Sequence, residues 1–135
     1  MSDSLSSGRM DRFSAELLER LAAVREIQLE TRGRHTGLMR RATVWVVVDE
    51  GIPCVRSEFG DAGQWYRNAL ADPHIGLVID GRPMAVTATP VTDRERWARV
   101  SDALRTKYRH SGSLAIMVRP EVEPMTLALD PAHQT

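Results

Sequence analysis

Ile75-Gly76-Leu77-Val78-Ile79-Asp80-Gly81-Arg82-Pro83-Met84-Ala85-Val86-Thr87-Ala88-Thr89 is a pair of apolar runs joined by Asp-Gly. Asp-Gly tolerates the positive φ angles of a tight hairpin turn, so the stretch predicts antiparallel strands over 75–79 and 83–89, ended by Pro90. The same pattern extends upstream. Ile27, Leu29 and Thr31 alternate with Glu26, Gln28 and Glu30, the period of a half-buried strand. Ala42 to Val48 is almost wholly apolar and β-branched, as expected of a strand covered on both faces. Asp49-Glu50-Gly51 then turns the chain into a strand from Ile52 to about Ser57. Downstream, Leu114 to Val118 and Met125 to Leu129 read as two more strands, which makes seven.

Helices are few and fall at connections. Phe13, Leu17, Leu21 and Val24 recur at helical spacing, which predicts a helix over about 14–24. Gln64 to Ala71 reads as a short helix stopped by Asp72-Pro73, because proline restricts the residue before it. Thr92-Asp93-Arg94-Glu95 fits a capping box, after which Trp97, Val100, Leu104 and Tyr108 continue at helical spacing. Short strands joined largely by tight turns favour an α+β fold with a barrel-like antiparallel sheet over alternating βαβ units.

The chain has 135 residues, 42% of them hydrophobic and 27% charged, enough for one real core and against a disordered chain. Met1 to about Asp11 is polar and Ser-rich and reads as an arm before a single domain over 12–135. Eighteen basic against eighteen acidic residues give no net charge, so there is no overall field to gather nucleic acid or an anionic membrane. Ala42 to Val48 is far too short for a membrane helix of roughly 20 residues. The single cysteine, Cys54, cannot make an internal disulfide, and the first residues lack the apolar core of a secretory signal; both predict a cytoplasmic protein.

The charge is unevenly placed. Between Thr31 and Val48 stand Arg32, Arg34, Arg40 and Arg41 with His35 and no acid, so this segment is +4 and the remainder −4. One reading is an anion pocket in which Gly33 and Gly37 let the loop turn its N–H groups to a phosphate while guanidinium forks supply charge. The plainer reading is a solvated hairpin end. The loop lacks the Gly-Lys-Ser/Thr ending of a Walker loop, and a strand follows it where a Rossmann turn would open a helix. Cys54 lies in an apolar strand and reads as inert, and the four histidines lie too far apart in sequence for a metal site. Arg56 and Ser57 end a strand, where they either face a cleft or merely stay polar. Trp65 and Asn68, three apart on a helix, share a face; Trp65 either packs the core or walls a flat ligand, with Tyr66 beside it.

Two motifs, taken together, resemble the flavin/deazaflavin-binding split β-barrel superfamily, most closely its deazaflavin-dependent nitroreductase branch and a related group of uncharacterised bacterial proteins. The first is Thr31-Arg32-Gly33-Arg34-His35-Thr36-Gly37 with Arg40; the second is Trp65-Tyr66-Arg67-Asn68-Ala69-Leu70-Ala71-Asp72-Pro73. The resemblance spans about Glu26 to Arg109. It implies a split antiparallel barrel with short flanking helices, a cofactor phosphate on Arg32, Gly33, Arg34, Thr36, Gly37 and Arg40, and Trp65, Tyr66 and Asn68 flanking the cofactor. The implied cofactor is 8-hydroxy-5-deazaflavin (coenzyme F-420) or FMN, often beside a second subunit, and the implied reaction is hydride transfer to a small quinone, enone or nitro compound. Arg56 and Ser57 join the cofactor set, and Tyr66 and Tyr108 are the candidate catalytic residues. The characterised reductases carry tyrosines near their carboxyl end; in their place this chain is expected to add a strand pair over Leu114 to Leu129. Two further functions stay open: a non-redox protein binding a phosphorylated or haem-like ligand, and a cofactor-free enzyme using the same cleft.

Overall fold

The computed structural model describes residues 13–132, so the expected arm, Met1 to Asp11, lies outside the described residues. Helix α1 (Ala15–Ala23) starts on Ser14, whose hydroxyl accepts from the Leu17 N–H at 3.1 Å. There follow β1 (Ile27–Arg32), β2 (Met39–Val44), β3 (Val47–Asp49) and β4 (Ile52–Arg56). A 3₁₀ turn (Gly60–Ala62) leads into α2 (Gln64–Ala71), then β5 (His74–Ile79), β6 (Arg82–Pro90) and α3 (Arg94–Lys107). Helix α4 (Leu114–Met117), a 3₁₀ segment (Pro120–Met125) and β7 (Thr126–Pro131) complete the described chain. The hairpin turn is as its chemistry demands, with Asp80 at φ 55° and Gly81 at φ 76°.

The strands form one antiparallel sheet in the order β2-β1-β5-β6-β7-β4-β3. Strands β2 and β3 are therefore its two ends, yet only Trp45 and Val46 separate them in the chain. Laid flat, the ends of seven strands would stand about 29 Å apart. Three residue steps reach about 10 Å. The sheet must curl until its ends almost meet, which makes it a split barrel with a seam between β2 and β3.

Two expectations need correction. The apolar run Ala42 to Val48 is not one strand: it breaks at Trp45-Val46, where the chain crosses the seam, and β2 begins earlier, at Met39. Leu114 to Val118 is not a strand either. It forms a helical turn in which the Val118 N–H donates to the Leu114 carbonyl at 3.1 Å, so the expected strand pair is a helix, a 3₁₀ segment and β7 alone. Short apolar runs do not distinguish a strand from a buried helix by pattern. The total of seven strands is met because one expected strand is two and another is absent. At α3 the cap is Asp93, whose carboxylate accepts from the Glu95 N–H at 2.9 Å; the Thr92 box does not form.

The barrel interior holds Leu21, Leu29, Val46, Leu77, Val86 and Leu129. A second cluster under α3 holds Val47, Cys54, Val100, Leu104 and Tyr108. Consecutive residues Val46 and Val47 thus enter different cores. Burial pushes the Cys54 thiol up to about 12, which agrees with an inert cysteine. No helix among the described residues is long and apolar enough to cross a membrane.

Lys107 gives the fold a pH dependence. Its ammonium donates to the carbonyls of Leu21 at 2.9 Å and Val46 at 2.6 Å, and burial lowers its pKa to about 8. Between that value and the ordinary 10.5 the unfolded chain holds the proton and the folded chain has lost it, so stability rises with pH across this window. Thermal melts should show Tm climbing from pH 8 to 9.5, and the climb should be smaller in Lys107→Met. Equal slopes in the two chains would remove Lys107 as the cause.

Candidate functional site

The Gly-Arg loop between β1 and β2 is closed by its own backbone. The Gly33 N–H donates to the Leu38 carbonyl and the Gly37 N–H to the Gly33 carbonyl, both at 2.7 Å. The Leu38 N–H reaches the Thr36 hydroxyl at 3.2 Å. Gly37 sits at φ 73°, which the turn demands of a glycine, and a Cβ on Gly33 would stand 2.7 Å from the Thr36 hydroxyl oxygen and crowd it off the Leu38 N–H. The N–H groups of Gly33, Arg34, Gly37 and Leu38 are thereby spent inside the protein. An anion here is met chiefly by side chains.

The four arginines of the segment divide into two pairs. Arg41 pairs with Glu30 at 3.0 Å, while Arg32 donates to the Gly37 carbonyl at 3.0 Å and lies 4.0 Å from Asp72. Arg34 instead donates to neutral oxygens, the Asn68 amide at 2.8 Å and the Gln64 amide at 3.1 Å. Arg40 is exposed, and its side chain makes no hydrogen bond or ion pair among the described residues. Asn68 is buried; its oxygen also accepts the Arg34 N–H at 3.2 Å and its NH₂ donates to the Thr31 hydroxyl at 3.3 Å. Gly33, Arg34, His35, Thr36, Arg40, Gln64 and Asn68 line one cavity of about 320 Å³. Gln64, missed in the sequence, stands four residues before Asn68 on one helix face, a spacing that could have paired them.

The other predicted residues lie elsewhere. Trp65 does not share the Asn68 cavity; half-buried and edge-on to Tyr66 at 6.1 Å, it lines a second cavity, of about 210 Å³, at the barrel seam. Arg56 lines the same cavity with Glu26, Trp45, Glu58 and Met117. Arg56 is 3% exposed, and all its partners are neutral: Thr126 Oγ1 at 2.9 Å, Ser101 Oγ at 2.8 Å, the Met117 carbonyl at 3.1 Å and the Trp97 carbonyl at 3.0 Å. Burial lowers its pKa to about 10, so the cation persists at neutral pH. These acceptors come from three separate elements, α3, α4 and β7, which no local sequence pattern joins. Ser57 is buried and its hydroxyl donates to the Gly60 carbonyl at 2.8 Å, closing a turn.

Neither candidate tyrosine lines either cavity. Tyr66 is 5% exposed and belongs to the barrel core. Tyr108 is 1% exposed and stacks on Trp45 with ring centroids 3.9 Å apart and planes within 2°. Its hydroxyl donates to the Arg25 carbonyl at 2.7 Å and accepts the Val46 N–H at 3.1 Å. Tyr108 thus grips the seam crossing at Trp45-Val46.

Several solved structures share this fold. HutZ, a heme storage protein from Vibrio cholerae, is 16% identical over 91% of this chain and 92% of its own, with a TM-score of 0.67. The conserved hypothetical protein Rv2991 from Mycobacterium tuberculosis is 18% identical over 94% and 85%, with a TM-score of 0.63. An F-420-H2-dependent reductase, FDR-A, is 18% identical over 78% and 93%, with a TM-score of 0.57. No curated protein matches the sequence. At such identities the likeness is one of fold, and it bears out the split-barrel architecture that the two motifs implied. The model of a family of uncharacterised proteins conserved in bacteria, DUF2255, matches residues 17–129, and the chain belongs to that family.

Proposed function

We propose that the protein is an oxidoreductase that holds 8-hydroxy-5-deazaflavin (F-420) or FMN by its phosphate on Arg34, Arg40 and Thr36. The observation that carries this reading is the state of Arg34. Two amide oxygens fix its guanidinium without neutralising it, so an oriented positive charge borders a cavity beside the unpaired Arg40. This donor set suits a phosphate, whose oxygens take forked charge-assisted bonds. When bound, the reduced coenzyme supplies a hydride to an electron-poor acceptor such as a quinone, enone or nitro compound. The chain's own part is to fix the phosphorylated end and exclude water around it. A cavity of about 320 Å³ is small for a whole flavin or deazaflavin coenzyme. A second copy of the chain is the cover we propose for the rest, because Leu38 and Met39 beside the loop are 60% and 48% exposed and β2 ends the sheet.

The competing reading is a non-redox binding protein. His35, exposed on the same cavity, is the observation that favours a haem-like ligand. Titration with F-420, FMN and hemin separates the readings, followed by assay of quinone reduction with the reduced coenzyme. Saturable coenzyme binding with turnover is the expected result. Binding of hemin alone supports the competing reading, and binding of none of the three removes the phosphate role of Arg34.

A further inference from the structure

The seam cavity carries its own chemistry, independent of any coenzyme on Arg34. Arg56, a cation 3% exposed, is part of its lining. Four of the five guanidinium N–H groups are bonded, and the second Nη2–H has no acceptor among the described residues. Among the described residues no carboxylate stands within ion-pairing distance; Glu123 acts at one remove, through the Ser101 hydroxyl at 3.3 Å. A buried cation left with neutral partners favours an anion that can reach it.

The lining also contains carboxylates. Glu58 is half-buried and Glu26 exposed, and neither side chain makes a hydrogen bond or ion pair among the described residues. A simple anion would meet two acids here, and a simple cation would meet Arg56. A molecule bearing both charges satisfies both ends. Trp45, Trp65 and Met117 add apolar surface to the same lining. A dry cavity of about 150 Å³ accepts benzene. The 210 Å³ here has room for a phenyl-sized group with a short charged head.

We propose that the seam cavity binds a free amino acid with a large apolar side chain, its carboxylate on Arg56, its ammonium toward Glu58 and Glu26, and its side chain against Trp45 and Trp65. L-Phenylalanine is the probe, followed by quenching of tryptophan fluorescence in the full chain with no coenzyme added. 3-Phenylpropanoate lacks the ammonium and 2-phenylethylamine lacks the carboxylate. Each should bind about tenfold or more weakly than phenylalanine, the size of one charge-assisted hydrogen bond.

Arg56→Lys should weaken phenylalanine binding, but Arg56 also ties β4 to α3 and β7, so the decisive variant is Glu58→Gln. It should weaken phenylalanine by about tenfold and leave 3-phenylpropanoate unchanged. No saturable quenching by phenylalanine at millimolar concentration would overturn the proposal. So would equal binding of either analogue, or indifference of phenylalanine to Glu58→Gln. Because no coenzyme enters this experiment, its failure leaves the role of Arg34 standing, and the reverse holds as well.

Discussion

Arg34→Ala combined with Arg40→Ala is expected to weaken coenzyme binding by about a hundredfold or more, since each lost charge-assisted bond to a phosphate is worth about 1.5–3 kcal/mol. Stability should fall by only about 1 kcal/mol, because Arg34 bonds Asn68 and Gln64 at a half-exposed site while the Arg40 side chain bonds nothing among the described residues. Arg41→Ala is the matched control. Arg41 is next in sequence but is paired with Glu30, so its loss should leave affinity unchanged. Asn68→Asp is the sharper companion: it preserves the side-chain shape and sets a carboxylate against Arg34 where an amide now stands. Titration of these chains with coenzyme, beside a thermal melt of each, checks the prediction. Undiminished affinity in the double variant would move the phosphate away from this loop.

The second large effect concerns Tyr108. Its ring is fully buried against Trp45, and its hydroxyl satisfies the Val46 N–H and the Arg25 carbonyl. Tyr108→Ala should cost about 3–5 kcal/mol, as large-to-small changes in a tight core do. Tyr108→Phe keeps the packing and removes only the hydroxyl, leaving buried backbone groups unpaired, for about 1–3 kcal/mol. Denaturant melts measure both. If Tyr108→Phe kept full stability while losing turnover, the catalytic role read from the sequence would return in place of the structural one. The contacts point the other way, because the hydroxyl is already engaged on both its donor and acceptor sides.

What was legible in the sequence was local. Asp80-Gly81 announced its hairpin through the backbone angles those residues tolerate, and Asp72-Pro73 announced the end of the helix after Gln64. The alternation from Ile27 to Thr31 survives as alternating burial along β1. The crossing at Trp45-Val46 left no mark, because an apolar β-branched run reads alike whether it continues or changes sheet ends. Charge counting found the cationic loop but could not say that Arg32 and Arg41 meet carboxylates while Arg34 meets amides. That division depends on Asp72, Glu30 and Asn68, which arrive from other elements. Arg56 was noticed as a strand end, yet its acceptors lie on α3, α4 and β7, contacts that exist only after the chain has folded.

Because Val46 and Val47 feed opposite hydrophobic interiors across a two-residue bridge, the spacing there tolerates no adjustment. Losing or gaining a single amino acid between Val44 and Val47 would exchange the two faces of the following strand, sending Val47 and Asp49 toward the barrel interior, where Val48 now packs, and Val48 toward α3. Length variation among relatives of this chain should therefore collect in the connections around Glu58 to Gly63 and Arg109 to Ser113, with the bridge held constant.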